Sequence, residues 1–158
     1  MVEPTVHRDS NRVHHWAVAL LILFAVVMVY AIYRPIHSDI AWLTDFESAR
    51  DTAREQNKPL LLYFYADWCA PCHQLSRQTW PDDRVERLVM TSFVPVKIDV
   101  SDMEQPDQVS EHYNVVALPT IIAANPDGQP LAELYGFVTA DEFVSRLGLT
   151  GDAQDGVD

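Results

Sequence analysis

The chain has 158 residues, 48% of them hydrophobic and 22% charged, a balance that suits one globular domain with appendages rather than a disordered or fibrous chain. From Pro35 onward 21 acidic residues stand against 8 basic ones; so negative a surface repels phosphate backbones and anionic headgroups, and nucleic acid is not expected as a partner. The two cysteines, Cys69 and Cys72, are too few to staple a scaffold and would close only a tiny loop, so their role is chemical rather than structural.

Residues 1–15 form a polar lead. Then "WAVALLILFAVVMVYAIY", residues 16–33, runs for 18 residues without a charge, and a helix of that length covers roughly 27 Å, close to the thickness of a bilayer's hydrocarbon core. Trp16, Tyr30 and Tyr33 sit at its ends and Arg12 and Arg34 bracket it, as expected of a single transmembrane helix. A buried core helix is rarely apolar on every face. A cleaved signal peptide is the other alternative, with "VYA" at 29–31 as its cleavage site, but the run is longer than a signal core and follows too long a lead. Arg8 and Arg12 before the span are matched by Arg34 and Arg50 after it, so charge does not orient it.

Residues 34–43, "RPIHSDIAWL", read as a linker. Thr44 followed by Glu47 has capping-box spacing and opens a helix over "DFESARDTAREQN" that Lys58-Pro59 stops. "LLLYFYA", 60–66, is an apolar run of strand length, covered on both faces. Pro71 suits the first turn of a helix through "CHQLSRQT"; Pro81 breaks it, and "DDRVERLVMTS" resumes helical spacing. "FVPVKIDV", 93–100, is a second strand, Pro106 opens the helix "PDQVSEHY", and "TIIAA", 120–124, joins "LAELYG" through "NPDGQP" as an antiparallel hairpin. A last helix fits "TADEFVSRLG", with Thr139 and Glu142 in capping-box spacing, and residues 149–158 look like an acidic disordered tail. This alternation predicts an α/β fold, a central mixed β-sheet flanked by helices. Cys69 falls at the carboxyl end of the first strand, where such sheets carry their sites.

Cys-x-x-Cys-His, residues 69–73, has two chemical readings: a dithiol that opens and closes as a disulfide, or the attachment string of a c-type haem. Haem requires His73 as an iron ligand, a second axial ligand such as His112, Met90 or Met103, and an apolar pocket around the macrocycle. Nothing in the sequence arranges those residues around position 73, and a histidine on a polar helix surface is more often solvated.

"YFYADWCAPCHQL", "VKIDV", "VVALPT" and "YGF" before the last helix together resemble the thioredoxin family over residues 44–148, and within it the C-terminal domain of the membrane-bound periplasmic thiol:disulfide interchange reductases. The resemblance implies a thioredoxin-like fold, no cofactor beyond a redox-active Cys69–Cys72 disulfide, no metal, and a cis proline, Pro119, facing the dithiol so that the backbone of Leu118 pairs with a bound peptide. Cys69, just ahead of a helix, has its thiolate favoured by the helix dipole; a fall in pKa from about 8.5 to about 7 would raise the thiolate fraction at neutral pH from roughly 3% to roughly half. Cys69 is thus the attacking thiol and Cys72, inside the first turn, the resolving one. Pro71 and Trp68 shape the site, Trp68 also shielding the thiols and touching substrate.

Two acids usual in the family are missing. Tyr63 stands six residues before Cys69 and Ser76 four after Cys72, in the places where the resemblance expects proton acceptors. Lys97, which matches a lysine that pairs with the buried acid, loses that partner, and Asp67 is the carboxylate left near the cysteines as a candidate proton relay. The resemblance implies a membrane-anchored thiol:disulfide oxidoreductase that reduces protein disulfides on the outer, periplasmic side of the cytoplasmic membrane, with disulfide-bearing proteins as substrates and a membrane protein as electron donor. The competing reading is a thioredoxin-like binding module without turnover.

Overall fold

The computed structural model describes residues 10–32, 37–102 and 108–151, with side chains over 15–31, 37–102 and 108–148. Residues 1–35 and 36–158 form separate units. In the first, α1 (Ser10–Ile32) is continuous over 23 residues, and its apolar side chains from Trp16 to Tyr30 are exposed. No helix among the described residues is long and apolar enough to cross a membrane. Tyr33, the last residue of the expected span, lies outside the described residues.

The second unit follows the predicted order: α2 (Phe46–Gln56), β1 (Leu60–Tyr65), α3 (Ala70–Gln78), α4 (Asp83–Ser92), β2 (Val94–Asp99), α5 (Gln108–His112), β3 (Thr120–Ala124), β4 (Pro130–Tyr135) and α6 (Ala140–Gly151). The four strands form one mixed sheet in the order β2-β1-β3-β4. β1 runs parallel to β2, with Tyr63 opposite Lys97, and antiparallel to β3, with Tyr63 opposite Ile121. Alternate residues of a strand face opposite ways, and β1 therefore feeds two cores. Leu61 and Tyr63 join Leu75, Val85, Val89, Phe143 and Leu147 on the side of α3, α4 and α6. Leu60, Leu62 and Phe64 join Ala49 and Ala53 of α2, with Val109 and Tyr113 packed alongside.

The helix starts differ in detail from the sequence reading. α2 is capped by Asp45, whose carboxylate accepts from the Ser48 N–H at 2.8 Å; Thr44 is not the cap, and Glu47 pairs instead with Arg50 at 3.1 Å. A carboxylate meets the positive end of a helix better than a hydroxyl does, which favours the later start. At α6 the expected Thr139 cap forms, its Oγ1 accepting from the Glu142 N–H at 3.3 Å. The helix then continues past Gly148 to Gly151, three residues into the stretch read as tail; Leu147 is fully buried, and that anchorage carries the helix onward. Residues 152–158, like Pro106 and Asp107 of the α5 reading, lie outside the described residues.

The second half of the linker packs on the domain. Leu43 bridges Val96 on the outer edge of β2, Ile40 is buried, and Trp42 meets Tyr63 and Trp80 at ring separations of 5.6 and 5.2 Å. In the hairpin, Asn125 Oδ1 accepts from the Asp127 and Gln129 N–H groups. The turn needs Gly128, whose φ of +88° disfavours a side chain and whose added Cβ would lie 3.2 Å from the Tyr113 hydroxyl oxygen.

Phe143 is fully buried and packs edge-on to Trp80 at 5.3 Å, joining α6 to the core beneath α3. Phe143→Ala should lower the unfolding free energy by about 3–5 kcal/mol. Urea unfolding of the full chain in detergent checks this, and a loss below about 1 kcal/mol would mean that α6 is not part of the cooperative core.

Candidate functional site

β1 stops at Tyr65, and three residues later the chain turns into α3. Cys69 occupies the N-cap of that helix with extended backbone (φ −82°, ψ 100°), and its Sγ accepts from the Cys72 N–H at 3.2 Å. The Cys69 N–H donates back to the Ala66 carbonyl at 3.1 Å. Ala70 opens the helix and Pro71 follows in its first turn, where a missing N–H costs nothing. The two sulfurs form a disulfide, with an S–S distance of 2.03 Å and Cα atoms 5.3 Å apart.

Exposure does not distinguish the cysteines, at 4% for Cys69 and 2% for Cys72. Their surroundings do. Cys69 lines a groove of about 610 Å³, together with Trp68, Pro71, Val100, Val116 and Leu118, and the groove's lips are exposed at Trp68 (59%) and Val116 (82%). Cys72 lies behind, and its carbonyl accepts from the Ser76 hydroxyl at 3.2 Å and the Tyr63 hydroxyl at 3.4 Å. The Leu118–Pro119 peptide is cis, and Leu118 borders the same groove as Cys69.

Tyr63 therefore takes the space behind the disulfide as a neutral phenol. Burial pushes its pKa from 10.0 up to about 12, against the opposing pull of Trp80 and Ser76. The buried Trp80 indole N–H lies toward that hydroxyl without closing a hydrogen bond of good geometry. At neutral pH this phenol is a donor and not a base. Lys97, opposite Tyr63 in register, holds its ammonium 3.8 Å from the centroid of the Tyr65 ring, a cation–π contact in place of a carboxylate.

Asp67 is exposed and enters the site through its backbone: its N–H donates to Ser101 Oγ at 2.9 Å, and its carbonyl lies 2.7 Å from His73 Nε2. None of the hydrogen bonds among the described residues joins its carboxylate directly to a cysteine, and the relay considered for it would run through water. The nominated haem ligands are not gathered round His73 either. Met90, on α4, accepts from the Ala41 N–H, whereas His112 packs on Tyr113 beside the opposite core; Met103 lies outside the described residues. Among the described residues no cluster of three or more His, Cys, Asp or Glu is placed to hold a metal.

Sequence reasoning missed Ser101 and Asp99. The Ser101 carbonyl accepts from Trp68 Nε1 at 3.2 Å, and the Ser101 N–H and hydroxyl both donate to Asp99 Oδ1. That pairing with Ser101 is the largest of the influences that lower the Asp99 pKa, opposed by burial and helped by the Tyr65 hydroxyl and Lys97. The nearest sequence signal was an Asp-x-Ser ending a strand.

A model of the thioredoxin-like domain matches residues 46–150. The chain belongs to the thioredoxin-like family. Its thioredoxin-like domain is similar to part of the thiol:disulfide interchange protein DsbD of Vibrio cholerae, 34% identical over 111 residues that make up 68% of this chain and 18% of that protein. The Yersinia pestis DsbD is 33% identical over 98 residues, 60% of this chain and 16% of that one. The chain thus spans less than a fifth of the length of these curated relatives. Among solved structures, the C-terminal domain of Neisseria meningitidis DsbD in its oxidised form aligns with a TM-score of 0.57 at 30% identity, covering 66% of this chain and 95% of that domain. A Thermus thermophilus thioredoxin, at 23% identity and a TM-score of 0.62 over 72% of this chain and 91% of its own, shares the fold.

Two outcomes follow for the thioredoxin-like domain. In the reduced protein at pH 7, iodoacetamide should modify Cys69 faster than Cys72, as read by peptide mass mapping, because only Cys69 opens on the groove and receives the helix N-terminus; faster modification of Cys72 would reverse the two roles. Because folding raises the Tyr63 pKa, its contribution to stability is complete below pH 10 and is lost as pH climbs to about 12. Tyr63→Phe should therefore make the alkaline decline in melting temperature shallower, and an unchanged decline would show that Tyr63 does not carry it.

Proposed function

We propose that the domain is a thiol:disulfide oxidoreductase that reduces disulfides in other proteins, with Cys69 as nucleophile and Cys72 as resolving thiol. The observation that carries the reading is the position of Cys69, which caps α3 with its sulfur while lining an open apolar groove. The Cys69 thiolate attacks one sulfur of a substrate disulfide; a mixed disulfide forms, the substrate S–S bond breaks and one substrate thiol leaves. Cys72, deprotonated, then attacks Cys69 Sγ, the Cys69–Cys72 disulfide closes and the second substrate thiol is released. Two electrons pass from the dithiol to the substrate. The Cys72 N–H, already aimed at Cys69 Sγ, stabilises the negative charge on that sulfur as the attacking thiolate.

Trp68, Pro71 and Leu118 would receive the substrate chain, with the Leu118 backbone next to the cis bond at Pro119 free to pair with it. The neutral Tyr63 and Ser76 leave Cys72 without a nearby base, so its proton goes to solvent and resolution quickens with rising pH through the thiol range. That same feature favours a second reading, a binding module that holds a partner without turnover.

We further infer that α1 anchors the domain in the cytoplasmic membrane and that the domain works on its outer face. Support comes from the uncharged run 16–33 and from the exposed apolar surface of α1. The oxidised dithiol must be re-reduced, and a dithiol-bearing membrane protein would supply the electrons.

The full chain should reduce insulin with dithiothreitol as donor, and Cys69→Ser should abolish the turnover. In cells, Cys72→Ala should accumulate mixed disulfides with substrates and with one integral membrane protein, all found in carbonate-washed membranes and all dispersed by dithiothreitol. Absence of both turnover and adducts would hand the site to the binding-module reading, and a chain released by the carbonate wash would remove the anchor.

A further inference from the structure

Three residues, Ala66 to Trp68, separate the end of β1 from Cys69, and two of them are gripped by one residue of another strand end. Ser101, which follows β2, accepts from the Asp67 N–H at its Oγ (2.9 Å) and from the Trp68 indole N–H at its carbonyl (3.2 Å). A hydroxyl has one hydrogen to give. Here Asp99 Oδ1 takes it and also accepts the Ser101 N–H at 2.9 Å, so the Ser101 oxygen turns a lone pair toward Asp67. Asp99 is in turn tied to β1 itself, since its Oδ2 accepts from the Tyr65 hydroxyl at 3.2 Å. The remaining backbone group of Asp67, its carbonyl, meets His73 of α3. Asp99 and Trp68 are exposed and Ser101 only half-buried, so this bracket lies on the rim of the sheet and contributes little to either core.

We propose that Ser101, oriented by Asp99, is a positioning residue for thiol–disulfide exchange: by holding Asp67 and Trp68 it keeps the Trp68 ring as one lip of the groove and sets Cys69 at the N-cap of α3. The proposal rests on the exchange reading of the Cys69–Cys72 pair. Without the hydroxyl, the Asp67 N–H turns to water, the loop gains freedom, and the sulfur spends less time within reach of the Cys72 N–H. The thiolate is then less favoured, and the Trp68 ring no longer has a fixed place beside the sulfurs.

The test uses the full chain in detergent with Ser101→Ala, Ser101→Thr and Asp99→Asn. Ser101→Ala should keep the wild-type melting temperature within a few degrees. Its reduced form should show Cys69 alkylation at pH 7 slowed by about threefold to tenfold, the effect of a thiol pKa raised by about half a unit to one unit. The difference in Trp68 fluorescence between oxidised and reduced protein, isolated by subtracting a Trp68→Phe variant, should shrink. Ser101→Thr, which keeps the hydroxyl, should restore both readouts, and Asp99→Asn should lose them in part. Wild-type alkylation and fluorescence in Ser101→Ala would overturn the proposal. So would failure of Ser101→Thr to restore them, or a collapse of the melting temperature, which would make Ser101 a fold determinant. Insulin reduction is scored separately: a wild-type chain that never turns over defeats the exchange reading, while alkylation and fluorescence still decide the role of Ser101.

Discussion

Cys69 stands where the central strand ends and α3 begins, and that junction governs what surrounds it. An N-cap must be extended and must offer an acceptor to the first free N–H groups of its helix. Sulfur is a weak acceptor compared with the oxygens usual at that position, and Asp45 shows, at α2, what an ordinary cap in this same domain looks like. At α3 the strength of the cap is traded for reactivity, because the Cys72 amide that a stronger acceptor would take points at a sulfur. The arrangement needs a rigid approach, and β1 supplies it: the strand is held by β2 on one side and β3 on the other, and both of its faces are packed.

Behind the disulfide, none of the buried residues among those described carries a charge. Tyr63, Ser76, Trp42, Trp80 and Phe143 fill the space with aromatic rings and hydroxyls. A carboxylate at Tyr63 would have to be desolvated and would depend on Lys97 for compensation, an exchange that often fails to repay itself in the interior. The aromatic solution packs well and leaves Lys97 at the rim over Tyr65. It also puts a neutral phenol and a hydroxyl, rather than a base, beside Cys72, so tight packing and fast proton transfer are in tension at the same few residues.

The parts of this domain legible in the sequence are those that depend on local pattern. The apolar run 60–66, the prolines at 71 and 81, the turn "NPDGQP" and the Cys-x-Pro-Cys string each act through neighbours a few residues away, and each appears in the fold within a residue or two of its predicted place. What was illegible depends on contacts between distant segments. Thr44 and Asp45 are adjacent potential caps; the Thr44–Glu47 spacing pointed to the first, and the carboxylate of the second takes the helix end. Ser101 gains its meaning from Asp67 and Trp68, more than thirty positions away, and an Asp-x-Ser after a strand reads alone as an ordinary turn. Trp42 and Trp80 look like isolated aromatics until the fold packs them against Tyr63.

The match to the thioredoxin-like family begins at residue 46, yet the packed unit begins earlier. Ile40 is buried, Trp42 stands in the aromatic cluster behind the disulfide, and Leu43 takes hydrogen bonds along the outer edge of β2, donating to the Pro95 carbonyl and accepting from the Lys97 N–H. A soluble fragment cut at the family boundary would lose all three. Its β2 would become a bare sheet edge, open to pairing with another copy, and the wall behind Cys72 would open to water. The smallest fragment that keeps both the chemistry and the solubility of this domain therefore starts upstream of Ile40, in the stretch that in sequence looked like mere tether.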